Sequence, residues 1–152
     1  YIDDFSDDYS ADWTSQTYMG RAEKFYRYTG FDRSINLSFT ILADRENNHS
    51  IMYEQLNTLA ASLAPTYTSA GYMAGNLHQI TLGNYLVNQW GVLTGLSYTP
   101  DDESPWGVEP GMQLPFYIKV TGLKFNVIHN FRPESYFNTP HKYIAQTADT
   151  NG

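Results

Sequence analysis

One stretch of the chain changes from the pattern of a strand to the pattern of a helix. Between residues 34 and 43 every second residue is apolar, which is typical of a strand with one buried face. Further along, large apolar residues recur at intervals that place them on one side of a helix: Met52, Leu56, Leu59 and Leu63. The sequence therefore predicts a strand and then a helix over about 48–64, and this helix needs a sheet on which to pack.

The predicted helix has a start and a stop signal. Asn48 or Ser50 is expected to cap the free amides of the first turn, and Asp44 and Glu46 lie where the helix dipole favours acids. Pro65 is expected to end the helix, because it lacks an N–H and disfavours helical geometry in the residue before it.

Other stretches alternate in the same way and predict further strands, at 13–19, 78–82, 85–87, 90–98 and 114–129. In the last of these the alternation changes phase at Gly122, with two apolar residues before it and three after it: Ile118, Val120, Leu123, Phe125 and Val127. A β-bulge at Gly122 would keep both sets on one face of the sheet, and glycine tolerates the backbone that a bulge requires.

The remaining segments are predicted to be irregular. Residues 1–12 contain five aspartates and no basic residue, which predicts an extended acidic arm that is solvated or docks on a partner. A calcium loop is the alternative, but the segment lacks the glycine and the terminal glutamate of an EF-hand loop. Residues 65–77 and 99–111 are expected to be loops, and residues 130–152 an extended C-terminal segment. The second loop is acidic and exposed, and its Trp106 is expected either to be tucked under the loop or to be available to a partner.

Composition narrows the class of protein. A chain of 152 residues fits one domain, placed here at 13–129, and a 16% share of aromatic residues with 13 tyrosines favours strands and contact surfaces. The net charge of −7 argues against a protein that holds nucleic acid by neutralising phosphates. The absence of cysteine excludes disulfides and thiolate zinc sites, and no apolar run approaches the roughly 18 residues of a membrane helix. A chain that begins with Tyr1 is expected to be a processed or partial product.

No catalytic or cofactor chemistry is predicted, so the chain is not expected to be an enzyme. The histidines have no metal-ligand spacing and are expected in structural roles: His49, His78, His129 and His141. A glycosidase carboxylate pair is one possible interpretation of Asp101, Asp102 and Glu103. Adjacent acids in one proline-rich loop are, however, more typical of a solvated loop tip. The basic and aromatic run 24–28 could stack on nucleic-acid bases, yet in an acidic chain an edge or hairpin strand that contacts protein is favoured.

An ordered series of short segments resembles the tube-like domain of baseplate proteins from contractile phage tails, a domain that also occurs in LysM-bearing baseplate proteins. The segments span residues 20–129 and include Gly20-Arg21, Tyr28-Thr-Gly-Phe-Asp-Arg-Ser-Ile-Asn-Leu-Ser-Phe39, Tyr53-Glu-Gln-Leu-Asn-Thr-Leu59 with Pro65, Ile80-Thr-Leu-Gly-Asn-Tyr85, Gly91-Val-Leu-Thr-Gly-Leu-Ser-Tyr98 and Leu114-Pro115. No LysM segment is recognisable, and neither end of the chain takes part in the resemblance.

The resemblance implies an α+β fold, a mainly antiparallel β-sandwich or barrel of the phage tail-tube type with one packed helix. It implies a structural virion protein, made in the host cytoplasm, that forms or caps a tube ring at the baseplate as a tube initiator or hub-tube adaptor. The implied partners are identical subunits and neighbouring tube or hub proteins, with DNA passing through the lumen without specific binding and no membrane. The expected interface residues are Arg21, Lys24, Tyr26, Tyr28, Tyr53 and Trp106.

One alternative to this interpretation remains open, and two further expectations belong to the tail-tube interpretation itself. The tyrosines, tryptophans and acidic loop also fit a glycan-binding β-sandwich module, because sugars stack on exposed rings. The helix is expected to present Tyr53, Asn57 and Ala61 outward, and removal of residues 1–12 is expected to weaken assembly without affecting folding.

Overall fold

The computed structural model describes residues 1–129 and 142–145. Five long antiparallel strands form one sheet in the order β1-β2-β7-β6-β5, and a single helix belongs to the same core, which confirms the predicted α+β class. The elements are β1 (Ile2–Gln16), β2 (Phe25–Leu42), α1 (Glu46–Leu63), β3 (Thr66–Tyr67), β4 (Met73–Ala74), β5 (His78–Leu82), β6 (Leu86–Pro100) and β7 (Tyr117–Val127). Within the described residues the sheet is open, with β1 and β5 at its edges.

The predicted strand and helix are both present. The strand is the second part of β2, which begins earlier than predicted, at Phe25. The helix ends as predicted: Ala64 is extended (φ −71°, ψ 145°), because it precedes Pro65. The predicted capping by Asn48 or Ser50 is wrong, since α1 begins at Glu46 and no side chain caps it. The Asn48 side chain instead donates a 2.6 Å hydrogen bond to Asp44.

The predicted bulge at Gly122 is confirmed. Leu37 pairs with Leu123 and Phe39 pairs with Val120, so β7 contains one more residue than β2 at this point. Gly122 has a φ of +65°, in the region that favours glycine. The residues on both sides of the bulge are buried on the core face, as predicted: Ile118, Val120, Leu123 and Phe125.

The core lies between one face of the sheet and the apolar side of α1. Met52 and Leu56 of the helix are buried in one cluster with the inward side chains of β2 and β7. Tyr98 of β6 joins the two layers, because its hydroxyl donates a 2.7 Å hydrogen bond to the carbonyl of Leu56.

The strands predicted at 85–87 and 90–98 are one strand, β6. Ile80 pairs with Gln89 and Leu82 with Leu86, so β6 has an extra residue between these pairs. Asn88 has a positive φ of 50°, a conformation that asparagine tolerates better than most residues, and the strand continues past it. The predicted loop 65–77 contains a small hairpin, β3 and β4.

The predicted acidic arm is not separate from the domain. Residues 2–16 form β1 and pair with β2 along almost the whole strand, so this segment is neither a free arm nor a calcium loop. Its aspartates make contacts within the sheet: Asp3 accepts a 2.6 Å hydrogen bond from Thr40, and Asp8 accepts one of 3.1 Å from Asn36. Of the predicted C-terminal segment 130–152, all but residues 142–145 lies outside the described residues.

Candidate assembly interface

The first two strands extend beyond the rest of the sheet as a two-stranded ribbon. β7 pairs with β2 only from Ser34 onward, where Ser34 faces Asn126. Between residues 25 and 33, β2 pairs with β1 alone. At about 3.3 Å per residue, this part of the ribbon is roughly 30 Å long. We call residues 9–33 the ribbon, and its turn lies between Gln16 and Phe25.

Large aromatic side chains are exposed along the ribbon. Trp13 and Tyr28 are cross-strand partners, with ring centroids 5.0 Å apart and planes at 78°. Tyr18 and Phe25 form a second such contact at 5.5 Å and 75°. Tyr26 stays 66% exposed, and Trp13 stays 58% exposed despite its contact with Tyr28. The register places Trp13, Tyr26 and Tyr28 on one face of the ribbon and Phe25, with Tyr18, on the other, so aromatic side chains are exposed on both faces.

The end of the ribbon is basic in a chain that is acidic overall. Residues 13–28 contain three cations, Arg21, Lys24 and Arg27, and one acid, Glu23, whereas the whole chain has a net charge of −7. All four side chains are exposed. The Arg21 guanidinium lies 5.1 Å from the Phe25 ring centroid, within cation-π distance.

A buried ion pair anchors the base of the ribbon. Arg33 is only 2% exposed, and it donates to Asp7 from Nε at 2.9 Å and from Nη2 at 2.7 Å. The same carboxylate accepts hydrogen bonds from the hydroxyls of Tyr9 at 3.1 Å and Tyr85 at 3.2 Å. Because Tyr85 precedes β6, this network ties β1 and β2 to the opposite side of the sheet.

The network shifts the pKa values of its members. Burial alone would raise the pKa of Asp7, but the hydrogen bonds and charge of Arg33, with the two phenol hydroxyls, hold this pKa below its usual range. Burial raises the pKa of Tyr9 to about 12; Arg33 opposes this shift and Asp7 adds to it. Asp7 is therefore ionised and Tyr9 is neutral at physiological pH.

Part of the C-terminal segment also contacts this network. Arg33 Nη2 donates a 3.2 Å hydrogen bond to the carbonyl of Tyr143, and the guanidinium lies 4.9 Å from the centroid of the Tyr9 ring. Tyr143 itself meets Tyr9 edge to face at 6.0 Å and lies 6.2 Å from Phe31. The ion pair at the base of the ribbon is thus buried, whereas the rings of Tyr9 and Phe31 around it stay partly exposed.

The ion pair is not predicted by the sequence. The two residues are 26 positions apart, and the aspartates around Asp7 predict an arm rather than a strand. One signal was present, because Arg33 has the same parity as the buried residues Ile35 and Leu37. Extension of the predicted strand by one residue would have placed a cation on the buried face, where it requires a partner.

Trp106 lies at the other end of the sheet, in the acidic loop, which we define as residues 101–112. It is 57% exposed and forms an isolated bridge with Pro115. The loop is held by its own backbone, since the N–H of Gly107 donates to the carbonyl of Leu114 at 3.0 Å. A side chain at Gly107 would lie 2.3 Å from the Met112 carbonyl, so only glycine fits there. The loop is therefore a folded feature that presents Trp106 to solvent.

The helix holds this loop in place through one carbonyl. His49 Nε2 lies 3.1 Å and the Tyr53 hydroxyl 3.0 Å from the carbonyl oxygen of Pro115, so both donate to it. The His49 ring also stacks on Phe116 at 4.4 Å. Tyr53 is half-buried and directed to the loop, rather than outward as expected, whereas Asn57 and Ala61 are exposed.

The structure thus divides the expected interface residues among three places. The ribbon carries four of them together: Arg21, Lys24, Tyr26 and Tyr28. Trp106 lies on the acidic loop, and Tyr53 lies on α1, where its hydroxyl bonds to Pro115 just after that loop. Among the residues that the structure describes, no three His, Asp or Glu side chains converge as metal ligands would. Exposed aromatic and basic side chains are most concentrated on the ribbon.

No known protein family matches this chain, and no curated protein is similar to it at a significant level. Within residues 1–129 and 142–145, no helix is both long and apolar enough to cross a lipid bilayer.

Proposed function

We propose that this protein is a structural subunit of a phage tail, which forms or caps a ring of the tail tube at the baseplate. One observation carries the proposal: both faces of the ribbon expose large aromatic side chains, and the rest of the described chain leaves them uncovered. Monomeric proteins rarely keep such a surface exposed, and large exposed apolar patches mark contact sites. The proposal assigns no catalytic role to the chain.

The free edges of the sheet support assembly. Among the described residues no strand pairs with the outer side of β1 or β5, so the sheet offers backbone donors and acceptors at both ends of its strand order. A ring of identical subunits satisfies such edges by joining each one to its neighbour, and several open sheets joined in this way would make the barrel or tube-type wall that a single chain lacks.

The net charge of −7 agrees with a wall around DNA. A lumen with the same sign of charge as the phosphates would let DNA pass without binding. This part of the proposal requires the exposed aspartates and glutamates to line the channel. An assembled structure with these acids on the outer wall and a neutral or basic channel would overturn it.

Electron microscopy and native mass spectrometry of the purified full chain test the main proposal. The expected result is a closed ring, or an open chain of subunits that becomes a ring when a neighbouring tail protein is added. A particle that stays monomeric in both methods at high concentration, with and without baseplate or tube proteins, would contradict the proposal.

A glycan-binding module is the second candidate, and one observation favours it. Trp13 and Tyr26 line a shallow hollow of about 380 Å³ on the ribbon, and sugars stack on exposed aromatic rings of this kind. Glycan-array binding that is lost in both Trp13→Ala and Trp106→Ala would support this function. Binding unchanged in both variants, or no binding by the wild type, would exclude it.

A further inference from the structure

We propose that the ribbon of one copy binds the acidic loop of a second copy, so that the subunits join head to tail. This inference rests on the proposed role as a self-assembling subunit, and it names the partner of the ribbon. It is carried by the position, the charge and the apolar surface of the two regions.

The ribbon and the acidic loop lie at opposite ends of the long strands. β2 runs from Phe25, next to the ribbon turn, to Leu42, and Leu42 pairs with Tyr117 at the start of β7. The acidic loop joins β6 to β7 at this end, because Pro100 pairs with Ile118. With 18 residues in β2, the two regions are separated by about 60 Å of strand, so one molecule cannot join its own ribbon to its own loop.

The two regions have opposite charge. The ribbon end has an excess of cations, through Arg21, Lys24 and Arg27. The acidic loop contains four acids, of which Asp101 is paired with Lys119 at 3.0 Å. The other three acids are exposed and available to a partner: Asp102, Glu103 and Glu109. Complementary charges of this kind orient two proteins and favour the correct encounter.

Both regions also expose apolar groups beside these charges. The face of the ribbon that carries the arginines also exposes Tyr18 and Phe25, and the loop presents Trp106 and Val108, which is 85% exposed. Aromatic residues and arginine are the side chains most enriched at the centres of protein interfaces. The charged and apolar groups of each end therefore complement those of the other end, and contact between the two ends would remove the apolar groups from water.

Charge also determines which ends can meet. Contact between two ribbons would bring cations together, and contact between two acidic loops would bring carboxylates together. Only the pairing of unlike ends avoids this repulsion. Such an interface is heterologous, and it produces a ring or an open chain of subunits.

Cross-linking of two single-cysteine variants tests the inference, and the chain has no native cysteine to interfere. Lys24→Cys places a thiol on the ribbon and Val108→Cys places one on the acidic loop, both at exposed positions. One variant is labelled with ¹⁵N, the two are mixed, and a short bismaleimide is added. The control pairs Lys24→Cys with Lys124→Cys, whose thiol lies on an exposed part of β7 between the two ends.

The expected product is a covalent dimer of mixed isotopic mass, formed several-fold more than the dimers of either variant alone or of the control pair. Equal yields in all mixtures would overturn the inference, and so would a dominant ribbon-to-ribbon dimer. If the wild-type protein binds anionic vesicles and the cysteine variants give no cross-link between ribbon and loop, the ribbon contacts a membrane and the inference is overturned.

Charge reversal gives a second, independent readout by sedimentation velocity. Reversal of Arg21, Lys24 and Arg27 to Glu is expected to weaken self-association about tenfold or more at moderate salt. Reversal of Asp102, Glu103 and Glu109 to Lys in the same chain should restore it. Association that is unchanged by the first variant would contradict the inference.

These outcomes are separate from those of the proposed function. Closed rings without cross-links between ribbon and loop would leave the ring proposal intact and overturn the head-to-tail contact. Cross-linked open chains that never close, even with tail proteins added, would support the head-to-tail contact and overturn the ring proposal.

Discussion

Arg33 and Asp7 form a two-point ion pair on the buried side of the sheet, with donor to acceptor distances of 2.9 and 2.7 Å, where β1 and β2 leave the other strands. Their side chains are 0% and 4% exposed. The pair joins the first strand of the chain to the strand that leads into the core, so both the fold and the direction of the ribbon depend on it.

Replacement of Arg33 by Met is expected to destabilise the protein by about 3–5 kcal/mol, because it leaves the Asp7 carboxylate buried without its cation. Urea unfolding followed by circular dichroism measures this change. The matched control is Lys119→Met, which removes the cation of the exposed pair with Asp101 and should leave the unfolding midpoint nearly unchanged. Equal effects of the two substitutions would show that the buried Arg33–Asp7 pair stabilises the protein no more than the exposed Lys119–Asp101 pair.

Acid should weaken the fold through Asp7. The pKa of Asp7 is lower in the folded protein than the value of about 3.9 for an unfolded chain, so its contribution to stability is complete above about pH 5. This contribution is lost as the pH falls through the folded pKa. Unfolding midpoints from pH 2 to 7 are expected to fall less steeply below pH 4 in Asp7→Asn than in the wild type. Parallel curves for the two proteins would refute this assignment.

Two glycines should respond to alanine for different reasons. At Gly91 a Cβ atom would lie 2.3 Å from the Asn126 carbonyl and 2.6 Å from the Phe125 ring, so Gly91→Ala is expected to cost about 1–3 kcal/mol or more by overpacking. At Gly122 the added atom meets nothing within 4 Å, and only the positive φ opposes it, at about 1 kcal/mol. Gly122→Asn should therefore recover part of the loss at 122, whereas Gly91→Asn should be worse than Gly91→Ala. Thermal unfolding of the four variants tests this order.

Deletion of residues 1–12 is now expected to prevent stable folding. The register of β1 and β2 changes the expectation from sequence, in which this segment was an arm needed only for assembly. The deletion removes β1 as the partner of residues 30–39, leaves residues 30–33 with no partner strand, and leaves Arg33 buried without Asp7. Amide exchange and near-UV circular dichroism of the truncated chain measure the effect. A cooperative, native-like unfolding transition would restore the original expectation.

The parts of the fold that depend on local pattern were predictable. The alternation in β2, the helical spacing from Met52 to Leu63 and the phase change at Gly122 each depend on side chains near one another in sequence, so the pattern alone was sufficient. The stop at Pro65 is local in the same way, because it follows from the covalent structure of proline.

The parts that depend on distant pairing were not predictable in the same way. Aspartates obscure the alternation in β1, and their compatibility with a strand depends on partners far along the chain, such as Arg33 and Thr40. The continuity of β6 past Asn88 depends on an irregular register with β5 that no local pattern encodes. For the candidate site, the sequence indicated the exposed residues of the ribbon, but not their separation from the acidic loop by the length of β2.

The aspartates of β1 have a consequence for newly made copies of the chain. β1 is an outer edge of the sheet, and an open edge invites another chain to add a strand and begin a fibril. Four of the five aspartates of β1 are exposed, all but Asp7, so two β1 strands that approached each other would bring carboxylates close together. Near the isoelectric point of about 4.8 the chain has no net charge, so the general repulsion between whole copies is weakest there. We therefore expect the first strand to keep separate copies of the chain apart at neutral pH, and we expect precipitation to be easiest in mild acid.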